Sequence, residues 1–192
     1  MRCIGSSTLS SYISSGQFLP SILIRSVSSH DTKPLECVYI NLCSPMPVTS
    51  CSGYCYFMNV INDYSSYIWS LPLKAKSDSF SILRGWHCAV KNQSRHKLKV
   101  LVTDNGELVS KSMDEWCTQH GIEHQLTTPY TSIQNGRAEH LHCMILNHAQ
   151  LICITCNAPA SLWDEFCATA AYLTNFITSS SLKRRTPHES IP

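Results

Sequence analysis

Two carboxylates stand where a folded chain can bring them together. Asp104 closes the run "LKVLVTD" and is followed by Asn-Gly, while Glu139 stands one residue off the apolar stripe of a later amphipathic segment. A carboxylate at a strand end and another on a helix flank converge at a sheet edge, where a divalent cation offsets their mutual repulsion. Each has a plainer reading by itself. "DNG" is a common turn, and a Glu in the first turn of a helix suits the helix dipole. A third segment, "YINLCSP" (Tyr39 to Pro45), reads as a strand running into a Pro-bearing turn, with an amide, Asn41, at its end. Basic residues form the other chemistry-bearing group: Lys91, Arg95, His96, Lys97 and Lys99 lie close together, and Lys183, Arg184 and Arg185 are consecutive. Such clusters suit phosphate contacts, although either could be a solvated Lys-rich loop.

The elements that must position these residues begin near Leu35. "LECVYINL" alternates apolar and polar, "GYCYFMNVIND" and "SYIWSLPL" follow with short connections, and the three predict an antiparallel meander. Ser77 to Lys91 places Phe80, Leu83, Trp86, Ala89 and Val90 on one helical stripe. "LKVLVTD" is a near-continuous apolar strand, the pattern of burial on both faces. Ser112 to His120 predicts a short helix closed by Gly121, and "IEHQLT" another strand. A loop rich in Pro, Tyr, Thr, Asn and Gly leads to a helix from about Arg137 to Ile152, with Ala138, Leu141, Ile145, Ala149 and Ile152 inward. A last helix starts at Pro159 and runs to about Thr178, with Leu162, Phe166, Ala170, Leu173 and Ile177 inward. The order is βββαβαβαα, an α/β domain.

The totals bound the rest. A chain of 192 residues suits one domain with a sizeable core, its 43% hydrophobic and 15% charged residues argue against disorder, and a net charge of +2 does not by itself announce a nucleic-acid binder. The first thirty residues hold ten serines. They read as a poorly ordered lead over residues 1–30 ahead of a domain over 31–192, with a mitochondrial transit segment the less favoured reading. No apolar run has the ~18 residues that a membrane helix needs, so a soluble protein, nuclear or cytoplasmic, is expected. Eleven cysteines in a chain with no convincing signal peptide read mostly as reduced thiols of an intracellular protein. Cys51 with Cys55 and Cys153 with Cys156 have suggestive spacing, but neither pair has a second Cys or His pair at a zinc-site interval.

"TDNGEL" followed by "HGIEHQLTTPYTSIQNGRAE" resembles the catalytic core of retroviral and retrotransposon integrases, most closely the copia-type branch. The likeness extends over about Ser26 to Pro192, through "YFMNVINDYSSYIWSLPLKAKSDSF" and "APASLWDEFCATAAYLTNFITSSSLKRRTPHES". It implies a ribonuclease-H-like fold with a mixed five-stranded sheet flanked by helices. It also implies three carboxylates holding two Mg²⁺ or Mn²⁺ ions, one to activate the attacking oxygen and one to stabilise the leaving oxygen. Asp104 matches the second Asp and Glu139 the Glu, both as catalytic and as metal-binding residues. The first Asp belongs to a run of the type Asp-Leu-Cys-Gly-Pro, which here reads "NLCSP", so its match is Asn41. Implied partners are DNA or RNA and a homodimer or an intact integrase. The candidate phosphate contacts are Lys91, Arg95, Lys97, Lys99, Asn135, Arg137, His140, Lys183, Arg184 and Arg185.

The departures from the family pattern point one way. An amide offers one neutral carbonyl oxygen where a carboxylate offers two charged ones, so Asn41 cannot bridge two cations. Asp63 does not replace it: a hairpin places it at the far end of the second strand, some ten residues or roughly 30 Å from the site. "DNGEL" lacks one Gly of the family's Asp-Asn-Gly-Gly-Glu, Ser44 stands where the family has Gly, and Ser66 where it usually has Arg. "EHLHCM" offers His140 and His142 in place of the basic residues that follow the family's Glu. No upstream His/Cys zinc module or C-terminal DNA-binding module is recognisable. The expectation is an isolated, eroded core that binds nucleic acid with impaired catalysis; the alternatives are an active strand transferase and a non-enzymatic dimerising relic.

Overall fold

The computed structural model describes residues 33–191 except 95, 105, 107 and 127–131, and gives the backbone alone for 132–138. The lead over residues 1–30 lies outside the described residues. Five strands form one sheet: β1 (Cys37–Leu42), β2 (Tyr56–Asn62), β3 (Ile68–Leu73), β4 (Val100–Thr103) and β5 (Glu123–Leu126), in the order β3-β2-β1-β4-β5. The first three pair antiparallel, as the alternating segments predict, and β1–β4 and β4–β5 pair parallel. Four α-helices cover the two faces: α1 (Ser79–Gln93), α2 (Lys111–His120), α3 (Ser132–Thr155) and α4 (Trp163–Asn175). The expected order βββαβαβαα holds.

Alternation along the strands divides the core in two. Val38, Ile40, Met58, Val60 and Leu101 point to one side and pack under Leu83 and Trp86 of α1 and Met113 and Trp116 of α2. Cys37, Tyr39, Phe57, Ile61 and Val102 point to the other and meet Ile145 and Ala149 of α3 with Trp163, Cys167 and Ala170 of α4. Gly121 ends α2 in the left-handed conformation, with φ 65°, as its composition predicts, and Ser110 caps the other end by accepting from the Met113 N–H at 3.2 Å.

Four expectations need correction. Helix α3 begins at Ser132, inside the segment that reads as a loop, so Gly136 lies within the helix; tertiary support outweighs the low helix propensity of Asn and Gly. Helix α4 buries Trp163, Cys167, Ala170, Ala171 and Thr174, while Leu173 is 51% and Ile177 57% exposed. Beyond Trp163 its inward face consists of small or polar residues, which a search for large apolar side chains passes over. On α1, Ala89 is exposed, not inward. Asp63 does lie at the far end of β2, but its N–H bonds to the Cys37 carbonyl, and four residues of strand put it ~13 Å from Asn41 rather than 30 Å. That is still beyond a shared ligand set.

Candidate active site

The strand register assembles the candidate residues. Tyr39 of β1 pairs in parallel with Val102 of β4, and two more residues along each strand bring Asn41 beside Asp104. Adjacent strands are ~4.8 Å apart, and residues in step share a face, here that of Tyr39 and Val102, the face α3 covers. On the other side Asn41 lies opposite Asn59 of β2. The buried Asn59 side chain reaches α3, its amide nitrogen 3.1 Å from His142 Nδ1. The register thus sets Asn41 beside Asp104, and Glu139 stands one helical turn before His142, the α3 residue that contacts Asn59.

Local chemistry sets what they can do. Asp104 is exposed, and its Oδ1 accepts from the Gly106 N–H at 3.2 Å, the small turn that "DNG" suggests. A Cβ at position 106 would come within 2.9 Å of that oxygen, so glycine gives the carboxylate its room. Glu139 and His140 are exposed. Below the site the residues are buried: the His142 ring stacks on Phe57 at 5.1 Å between centroids and 7° between planes, and Phe57 leans on Trp163 at 6.0 Å. Burial holds the His142 pKa below its ordinary value, so the ring is neutral at pH 7. Asn59 is 0% exposed, and its Oδ1 has no partner among the described residues. Asn59 does not stand out in sequence, its one signal being a polar residue inside the apolar run "FMNVIN", and His142, which in sequence stands where the family has a basic residue, is instead buried at 8% exposure against β2.

The two thiols nearest to this part of the core do not supply the missing anion. Burial pushes the Cys43 thiol, just past β1, above its ordinary pKa, and takes Cys167 on α4 up to about 12, so neither is a thiolate at neutral pH. Every described cysteine is a free thiol, and no group of three or more His, Cys, Asp and Glu among the described residues could hold a metal ion. Two carboxylates and an amide carry one negative charge fewer than three carboxylates. This donor set does not fit a two-ion centre. One nearby arrangement mimics a hydrolytic triad: Thr103 Oγ1 lies 2.9 Å from His124 Nε2, and His124 Nδ1 lies 3.4 Å from Asp114 Oδ1. Thr103 is 1% exposed and out of a substrate's reach, so the chain of bonds ties β4 and β5 to α2.

The basic clusters are not gathered at this end. Lys99 immediately precedes Val100, the register partner of Cys37, so Lys91, Lys97 and Lys99 lie toward the opposite end of the strands. Lys183 and Arg184 occupy a turn with φ 54° and 66°, closed by a bridge between Ser179 and Arg185 beyond α4. Asn175, at the end of α4, binds both the N–H and the carbonyl of Ile68, which pairs with Ile61 near the start of β1. That cluster too is remote from Asn41. Arg95 and the side chains of Asn135 and Arg137 lie outside the described residues.

Comparison with known proteins agrees with this geometry. Residues 31–132 match the family model of the integrase core domain. The chain is 37% identical over 142 residues to the retrovirus-related Pol polyprotein from transposon TNT 1-94 of Nicotiana tabacum, covering 73% of this chain and 11% of that one. It is 29% identical over 164 residues to the corresponding polyprotein from transposon RE2 of Arabidopsis thaliana, covering 83% and 11%. The chain thus spans about a tenth of the length of these relatives. Among solved structures, the HTLV-2 integrase catalytic core domain in complex with magnesium, in its trimeric form, is similar at TM-score 0.62 and 18% identity, over 84% of this chain and 99% of that one. A chain of the simian T-cell lymphotropic virus intasome in complex with the PP2A regulatory subunit B56 gamma is similar at TM-score 0.65 and 16% identity, over 85% and 59%. With its sheet order, its strand-end site and a family match over more than half its length, the chain belongs to the integrase core domain family.

Proposed function

We propose that this chain is a retrotransposon-derived integrase core that binds DNA and is impaired in cutting and joining it. The observation that carries the reading is Asn41, in register with Asp104 and on the face that α3 covers, at the position where the resemblance calls for a catalytic Asp. When bound, divalent metal in this family supplies the activated oxygen and the stabilised leaving group. Asp104 and Glu139 retain two of the three carboxylates, enough for at most one weakly held Mg²⁺ or Mn²⁺, and no two-metal step is assigned here. The nucleic-acid contacts are Lys91, Arg95, Lys97, Lys99, Asn135, Arg137, His140 and Lys183 to Arg185, through phosphate charge rather than base identity. Assembly with a second copy, or with an intact integrase that contributes a full set of carboxylates, belongs to the same reading.

The test is binding of a short duplex followed by a nicking assay on the same preparation. The expected result is affinity that falls steeply as salt rises, with no strand cleavage by the unaltered chain in Mg²⁺. Absence of binding at low salt contradicts the nucleic-acid reading; cleavage contradicts the impairment.

A further inference from the structure

The end of the domain remote from the carboxylates holds a cleft of about 280 Å³ between the C-terminal ends of α1 and α2 and the segment that enters β4. Its lining is rich in donors. Lys91, Lys97 and Lys99 contribute ammonium groups, His87, His96 and His120 contribute imidazoles, and no Asp or Glu among the described residues lines it. Lys99 is engaged with Glu36 at 2.5 Å, whereas Lys91 and Lys97 are exposed and form no ion pair with a described carboxylate.

Aromatic and imidazole rings border the same cleft. Trp86 forms part of its wall and is 7% exposed, its indole N–H itself buried and without a partner among the described residues. The histidines add to the pattern. His120 Nδ1 lies 2.8 Å from the Trp116 carbonyl, which only accepts, so Nδ1 carries the donated proton. The rings of His87 and His120 are 5.4 Å apart. Burial, and then the nearby His120 and Lys91, hold His87 below its ordinary pKa. Helix C-termini usually disfavour anions, so the lysine ammonium groups must outweigh the two helix dipoles here, which are reduced only where the Ser94 N–H meets the Val90 carbonyl and the Gly121 N–H meets those of Cys117 and Thr118.

We propose that this cleft is a phosphate-binding site that holds the backbone of a nucleic-acid strand away from the carboxylate end. It rests on the nucleic-acid reading above and adds a second point of contact: five residues of strand separate Lys99 from Asp104, or ~16 Å, more than two phosphate spacings along one strand. A duplex lying on the cleft therefore contacts the domain independently of Asp104 and Glu139.

The experiment is fluorescence anisotropy of a labelled 20-base-pair duplex with the full chain, across 50 to 200 mM salt. The unaltered chain is compared with the K91A/K97A double variant, both checked for folding by thermal melting. The expected result is a salt slope shallower by about 1.8, the release of two phosphate contacts, which is roughly tenfold in affinity over that range. An unchanged slope in a folded double variant overturns the cleft and leaves the nucleic-acid reading intact. Absence of duplex binding by the unaltered chain overturns both. A parallel arm titrates inorganic pyrophosphate. Competition with the duplex that is lost in K91A/K97A supports a shared site; pyrophosphate binding that depends on the two lysines while the duplex slope does not overturns the backbone assignment in favour of a free small phosphate.

Discussion

The two faces of the sheet are built to different rules. Under α1 and α2 the core is mostly apolar: Met58, Val60, Leu83, Leu101 and Met113 are sealed together, with Asn62, Ser79 and Ser94 among its buried polar residues. Under α3 and α4 the apolar residues share their space with buried Asn59, His142, Asp164, Thr174 and Asn175. Some of these are satisfied, as Asn175 is by both backbone groups of Ile68. Others are not: Asn59 Oδ1, Asp164 Oδ1 and Thr174 Oγ1 lack partners among the described residues. Each unmet buried group costs stability, so the face that carries the strand-end site is the less optimised of the two. The side that α1 covers has its own exceptions in Trp86 Nε1 and Ser94 Oγ.

The largest expected effects compare core residues across the sheet. Phe57→Ala should cost ~3–5 kcal/mol and Leu83→Ala ~2–5 kcal/mol in urea unfolding, since both side chains are fully buried. Only the Phe57 change removes the stack on His142, so the His142 pKa should return toward its ordinary value in an NMR titration of that variant alone. Equal pKa values in the two variants would break the link between this core and the site.

Next is the Asn59–His142 contact. Asn59→Ala should cost ~1–3 kcal/mol by stranding the ring nitrogen, whereas replacing both partners with leucine should cost less than the sum of the two single changes. Additivity in that cycle would mean that the 3.1 Å contact contributes nothing. Acidification should have a smaller effect. Burial lowers the folded-state pKa of both His142 and His87, so the unfolded chain binds more protons on acidification. Their stabilising contribution is present above the ordinary histidine pKa of ~6.5 and is lost as pH falls through the lowered folded values. Denaturant midpoints should therefore drop from pH 7 toward pH 5, and His142→Leu should flatten that fall. The smallest effect is a control away from both faces: Glu115→Gln, breaking an exposed 3.8 Å pair with Lys111, should change stability by no more than ~0.5 kcal/mol.

What the sequence made legible follows from how strongly each feature is patterned. The strands were readable because two-residue alternation and the continuous run before Asp104 have few other physical explanations. Asn41 and Asp104 were placed because strand ends are fixed by the same pattern. The start of α3 was not, since Asn135 and Gly136 carry loop propensity that the surrounding fold overrides. The buried face of α4 was missed because Cys167, Ala170, Ala171 and Thr174 are small, while the larger Leu173 and Ile177 point to solvent. The Asn59–His142 contact joins residues 83 positions apart, a pairing that no local period encodes.

If the amide of Asn41 alone silences the site, restoring a carboxylate there restores cutting. A nicking and strand-transfer assay in Mn²⁺ on a short duplex compares the chain as it stands with its Asn41→Asp variant, and cleavage by the variant alone is expected. Cleavage by the unaltered chain would contradict the role given to Asn41, and inactivity of both would show that the site's defects extend beyond that residue.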